Sequence, residues 1–166
     1  KQYRDMDKPT DVLSFPMFEK DELEEKIKNN DFEHEDVPYT SIEEAMADIG
    51  DDPAIIYLMD DITIEQTIVI KNDITIESDG LPHTISVPAG FEGPMFEVVD
   101  GGALSLGSHA ENYEVDVLYI NGSNVTADAL INVQTGGSVE IYSGTVIFGA
   151  DNIESAIKSV DTIEMY

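Results

Sequence analysis

The chain has no cysteine. Disulfides and thiolate metal sites are therefore excluded. Arginine is absent after Arg4, and past residue 38 the only cations are Lys71 and Lys158. No apolar run approaches the ~20 residues of a membrane-spanning helix. An Asp-x-Asp-x-Asp-Gly calcium loop and a glycine-rich nonapeptide array are both missing. The scarcity of cations leaves a formal net charge of −27 at pH 7. Residues 1–38 hold six Lys/Arg against twelve Asp/Glu, and residues 39–166 hold two against twenty-three. Such a surface repels phosphate backbones and anionic lipid, so neither nucleic acid nor membrane is expected as a partner of the larger part. The first residue is Lys1, without an initiator Met or signal peptide, which is expected of a fragment or a processed form.

What is present is a repeat. Phe96-Glu-Val98-Val-Asp-Gly101-Gly102-Ala-Leu104-Ser-Leu106 is echoed by Ile131-Asn-Val133-Gln-Thr-Gly136-Gly137-Ser-Val139-Glu-Ile141, an offset of 35 residues (131 minus 96). Each copy reads as strand, double-glycine corner, strand. A repeated unit of this kind marks a solenoid, in which each coil stacks on its neighbour. Asp61-Ile-Thr-Ile-Glu65 also recurs, as Asp73-Ile-Thr-Ile-Glu77, twelve residues on.

Along the chain, Val12–Phe18 is a compact apolar run, and Pro9 and Pro16 bracket a short strand or extended segment. Residues 19–31 read as a charged helix with Leu23 and Ile27 as a narrow stripe. An acidic linker follows to Pro38. Ser41-Ile-Glu-Glu44 fits a capping box, and Ile42, Ala45, Met46 and Ile49 share one helical face that Gly50 ends. From Ala54 to Phe148 short β-branched strands alternate with polar corners: Ile55–Leu58, Ile62–Ile64, Ile68–Ile70, Ile74–Ile76 and Thr84–Val87. Residues 107–117 read as a loop pushed out of one coil. The expected fold is all-β: a right-handed parallel β-helix over 39–150, with a capping helix at 41–50 and a short α/β-like segment before it. Residues 151–166 are expected to cap or continue the solenoid. An antiparallel sandwich is the alternative.

Two resemblances follow. The succession Ser41-Ile-Glu-Glu-Ala-Met-Ala, Ile56-Tyr-Leu-Met-Asp-Asp-Ile-Thr, Ile74-Thr-Ile-Glu-Ser-Asp-Gly80 and Thr84-Ile resembles the start of right-handed parallel β-helix domains of bacterial surface proteins. It implies an extracellular or cell-surface location and a non-catalytic, adhesin-like binding or structural role, toward a surface glycan or protein. Tyr3-Arg4-Asp-Met-Asp7-Lys8-Pro9-Thr10-Asp11-Val12-Leu13-Ser14-Phe15-Pro16 resembles the N-terminal signature of the YbeY family of zinc endoribonucleases. That implies cytoplasmic rRNA maturation, with Arg4 acting on the RNA. The match ends near Val37, and the family's His-x₃-His-x₅-His run has no counterpart. His34, His83 and His109 lie at unrelated spacings, so no zinc site is expected. The two segments together read as a natural fusion, an engineered chimera or an assembly artefact.

Candidate sites are few. Asp51, Asp52, Asp60 and Asp61, with Asp48, could gather around Ca²⁺, which takes about 6–8 oxygen ligands. Their plain alternative is a solvated acidic edge. A carbohydrate-active β-helix enzyme is a third option, with Asp51/Asp52 or Asp60/Asp61 as the carboxylate pair. Neighbours on a strand point to opposite faces, which opposes that pairing. Tyr113, Tyr119 and Tyr142 would form a sugar-stacking stripe if they shared a face. No catalytic residue is expected apart from Arg4 on the ribonuclease reading.

Overall fold

A computed structural model describes residues 13–17, 38–107, 117–142, 144–149, 153–160 and 163–165. The described residues form short strands and one helix, and every strand pairing among them is parallel. The first sheet runs β1 (Leu13–Met17), β2 (Ala54–Leu58), β5 (Asp73–Ser78), β9 (Ala103–Leu106), β13 (Ser138–Ile141) and β16 (Ile163–Met165). The second orders β3 (Ile62–Thr63), β6 (His83–Ser86), β10 (Leu118–Gly122) and β14 (Thr145–Gly149). The third orders β4 (Ile68–Ile70), β8 (Phe96–Val98), β12 (Ala129–Val133) and β15 (Ser155–Ser159). A short pair, β7 (Phe91–Glu92) with β11 (Val125–Thr126), lies between visits to the second and third sheets.

The chain takes the sheets in cyclic order. From β2 it passes to the second sheet, the third, and back to the first, one strand further along. No antiparallel pair occurs among the described strands, so the hairpin sandwich is ruled out for them. The 35-residue echo is a pairing register. Ile131 pairs with Phe96, Val133 with Val98, Ser138 with Ala103, Val139 with Leu104 and Ile141 with Leu106. The same offset holds in the second sheet, where Ile120 pairs with Ile85. The twelve-residue echo differs: its copies fall in the second and first sheets and do not pair.

Alternation explains why the strands bury one side. Ile74 and Ile76 are buried while Thr75 between them is half-buried. A period of two sends successive side chains to opposite faces. Stacking then builds interior columns, such as Ile68, Phe96, Ile131 and Ile157 in register across the third sheet. Phe96 is fully buried, and burying a side chain of that size contributes roughly 1.5–3 kcal/mol. Gly122 leaves room in this interior: a Cβ there would overlap the Leu130 side chain, itself fully buried.

The double-glycine corner divides its work. Gly101 has φ 82°, which an L side chain rarely adopts. Gly102 lies where a Cβ would overlap the Ile70 carbonyl oxygen of the preceding circuit. In the next corner a Cβ on Gly137 would come within 2.9 Å of the Val98 carbonyl oxygen.

Helix α1 (Ile42–Ile49) lies beside β1 and β2, with Ile42, Ala45 and Ile49 buried and Met46 half-buried. Ser41 Oγ accepts from the Glu44 amide at 3.1 Å, the first half of the capping box. The second half is shifted by one residue: the Glu44 carboxylate accepts from the Thr40 amide at 3.2 Å and the Thr40 hydroxyl at 2.8 Å. Glu43 ties the helix to the corner after β3 by accepting from the Glu65 amide at 2.9 Å. Strand β1 comes from the segment that sequence sets apart as 1–38, yet it forms the outermost strand of the first sheet, Leu13 opposite Ala54 and Met17 opposite Leu58. An edge position suits Pro16, which has no N–H to donate.

At the other end, β15 and β16 continue the third and first sheets. There the inward Ile147 and Ile157 are only half-buried and Ile163 is exposed. The loop read at 107–117 lies mostly outside the described residues. Its flanks are placed: Leu106 pairs with Ile76 and Leu118 with His83. The charged helix read at 19–31 and the acidic linker also lie outside the described residues. No described helix is long and apolar enough to cross a membrane.

Candidate functional site

The inward side chains are committed to packing, so chemistry is left to corners and outward faces. The acidic corners are spoken for singly. Asp51 pairs with Lys71 at 2.5 Å. The Asp52 carbonyl accepts from Asn72 Nδ2. Asp60 Oδ1 accepts from the Asp61 amide at 2.7 Å, and Asp61 Oδ1 accepts from the Thr84 amide at 2.7 Å. The latter two are turn and strand-end caps. Asp48 accepts from the Tyr39 hydroxyl. Partial burial, and then that carboxylate, raise the Tyr39 hydroxyl above its ordinary value of 10.0. Among the described residues, no three His, Cys, Asp or Glu side chains gather as a cation site requires.

Buried polar groups flank the corner between β5 and β6. Glu77, Ser78 and His83 are all buried, and His83 Nε2 lies 2.8 Å from Asp79 Oδ1. Ser78 Oγ has no hydrogen-bond partner. It faces inward beside Leu58, in line with Ile74 and Ile76. A nucleophilic serine would need a bond to the imidazole, and none joins Ser78 to His83. A shallow depression of about 180 Å³ on the third sheet is lined by Pro94, Ala127, Asp128, Ala129, Asn132 and Lys158, with Lys158 Nζ 3.2 Å from Asp128.

The three outward faces differ in charge. Strands of the first sheet carry Asp73, Glu77 and Glu140, and those of the third carry Glu97 and Lys158. The four strands of the second sheet carry no Asp, Glu, Lys or Arg. Their outward side chains align in two columns. One is Thr63, Ser86, Asn121 and Phe148, and the other is Thr84, Tyr119 and Val146. Asp61, one residue before β3, stands at the foot of the second column. The hydroxyls are ordered: Thr63 Oγ1 and Ser86 Oγ are 3.0 Å apart, and Ser86 Oγ donates to the Ile62 carbonyl at 3.1 Å. Asn121 Oδ1 accepts from the Ser123 amide at 3.1 Å and hydroxyl at 2.7 Å, which fixes the carboxamide. Val146 is 42 % and Phe148 40 % exposed. Neighbouring strands stand ~4.8 Å apart, so each column is a row at that spacing.

The sequence-level candidates are therefore dispersed. Tyr119 lies on this neutral face. Tyr142 follows the first sheet and donates to Glu140 at 2.6 Å. Tyr113 and Arg4 lie outside the described residues, as do His34 and His109. Tyr119 and Tyr142 do not form one stripe. Thr63, Thr84, Ser86, Val146 and Phe148 were not singled out by sequence, and Asn121 only as a corner residue and in the acceptor pattern Asn121-Gly-Ser123. The available signal was parity: each alternates with an inward residue in a strand without charge. The chain matches no family model, no curated protein and no solved structure.

Proposed function

We propose that the chain is a right-handed parallel β-helix from a bacterial cell-surface protein, serving as a non-catalytic, adhesin-like binding or structural domain. The observation that carries this is the set of outward side-chain columns, in register across strands 23, 35 and 27 residues apart in sequence (86 minus 63, 121 minus 86, 148 minus 121). A hydrogen-bonded stack holds such columns at fixed spacing. An extended ligand can then be met by several side chains at once, with little ordering cost. The strong negative charge keeps such a surface soluble and selects against anionic polymers. Solenoids in general offer this kind of extended recognition surface.

The test is retention of the purified chain on glycan arrays and on intact cells, with the glycans sized before and after contact. Retention with unchanged glycans is the expected result. Shortened glycans would replace this reading with a carbohydrate-active enzyme. Stoichiometric zinc together with RNA cleavage would replace it with the ribonuclease reading.

A further inference from the structure

Apart from Asp61 at the foot of one column, the outward face of the second sheet is uncharged on a molecule of net charge −27. None of the seven outward positions on its strands, Thr63, Thr84, Ser86, Tyr119, Asn121, Val146 and Phe148, carries a charge. What the face offers instead is hydroxyl and carboxamide groups on Thr63, Thr84, Ser86 and Asn121, beside Tyr119 and Phe148. Aromatic planes stack on the C–H faces of sugar rings, and fixed hydroxyls and amides exchange hydrogen bonds with sugar hydroxyls. We propose that this face binds a neutral glycan chain, lying across the strands along the two columns. The inference rests on the binding-domain reading above and adds the ligand class and the face.

Charge decides among occupants. An anionic glycan would meet no cation here and an acidic molecule all round. A cationic protein surface would find its complement on the first sheet and the corners instead. A neutral hydroxylated chain gains from the lack of charge, because beyond Asp61 no ion has to be stripped of water on contact. Val146 and Phe148 are exposed at the end of the face and supply its apolar contact.

The experiment prints neutral gluco-, manno- and galacto-configured oligosaccharides beside uronate and sulfated ones, with intact cells as a second probe. Proteins are wild type, Tyr119→Ala, Phe148→Ala, Asn121→Asp and, on the third sheet, Glu97→Gln. Asn121→Asp keeps the side chain's shape and its Ser123 bonds while adding one charge. Far-UV circular dichroism and the urea midpoint verify that each variant folds. Binding of wild type to neutral oligosaccharides is expected. It should weaken about tenfold or more in the three second-sheet variants and hold in Glu97→Gln. Binding to anionic glycans alone, or neutral binding indifferent to all three variants, overturns the proposal. Cell binding that the three variants abolish, with no glycan bound, also overturns it in favour of a protein occupant and leaves the adhesin-like reading standing. Failure to bind both glycans and cells removes both.

Discussion

In the corner between β8 and β9, Gly101 is held at φ 82° with nothing within 4 Å of a Cβ, whereas a Cβ on Gly102 would overlap a backbone carbonyl. The two glycines should therefore respond differently to alanine. Gly101→Ala meets only backbone strain and is expected to cost about 1–2 kcal/mol. Gly102→Ala must push Ile70 and its ladder aside, and backbone shifts add roughly 1–3 kcal/mol to a substitution. Urea midpoints of the two variants measure the difference, and a smaller loss for Gly102→Ala would contradict the geometry. Tyr39 gives the pH-dependent case. Its folded hydroxyl titrates above the ordinary 10.0. The stability it contributes is present below pH 10.0 and is lost as pH rises through the raised folded value, because the unfolded chain ionises first. Tyr39→Phe should flatten the alkaline fall in unfolding free energy and remove one late phenolate step from an ultraviolet titration. Sequence shows the glycine pairs but not their division of labour, since the Ile70 carbonyl that bars a Cβ at Gly102 lies 32 residues away (102 minus 70).

Helix α1 was legible at the level of elements apart from the return half of its capping box, which Glu44 closes on Thr40: the Ser41 cap, the buried Ile42, Ala45 and Ile49, and the Gly50 stop are all local features. Ser41→Ala is expected to cost about 1 kcal/mol by freeing the Glu44 amide. Thermal unfolding checks this, and Thr40→Ala, which removes one Glu44 contact while keeping the Ser41 bond, should cost less. The strands were equally legible where Ile alternates with Thr or Ser. The outcome was different for the two echoes. The 35-residue echo became a pairing, and the twelve-residue echo did not, because twelve residues carry the chain only from the second sheet round to the first. The longer echo, with its double-glycine corner, was read as stacking coils; the shorter, a bare strand pattern, carried no sign of whether it would pair.

For the whole molecule, charge is the feature that composition states and topology sorts. Like charges repel in the compact state, so the folded chain should gain from screening. Raising NaCl from about 0.01 M to about 0.15 M shortens the Debye length from roughly 30 to 8 Å. The melting temperature is expected to rise over that range, and a fall would show that local ion pairs such as Lys71–Asp51 outweigh the repulsion. The neutral face that survives amid this charge was not readable in advance. Its columns join residues 23 to 35 apart, and the register that aligns them depends on the length of everything between. Sequence by itself determined what short-range sterics and periodicity can decide: where strands and helix lie, which side of each is apolar, where glycine turns the chain, and that the surface is acidic. Only the tertiary structure decided which strands are neighbours, that Leu13–Met17 joins the first sheet, and that Thr63, Ser86, Asn121 and Phe148 share a row. Those are contacts between distant residues, and alternation within a strand carries no record of its partner.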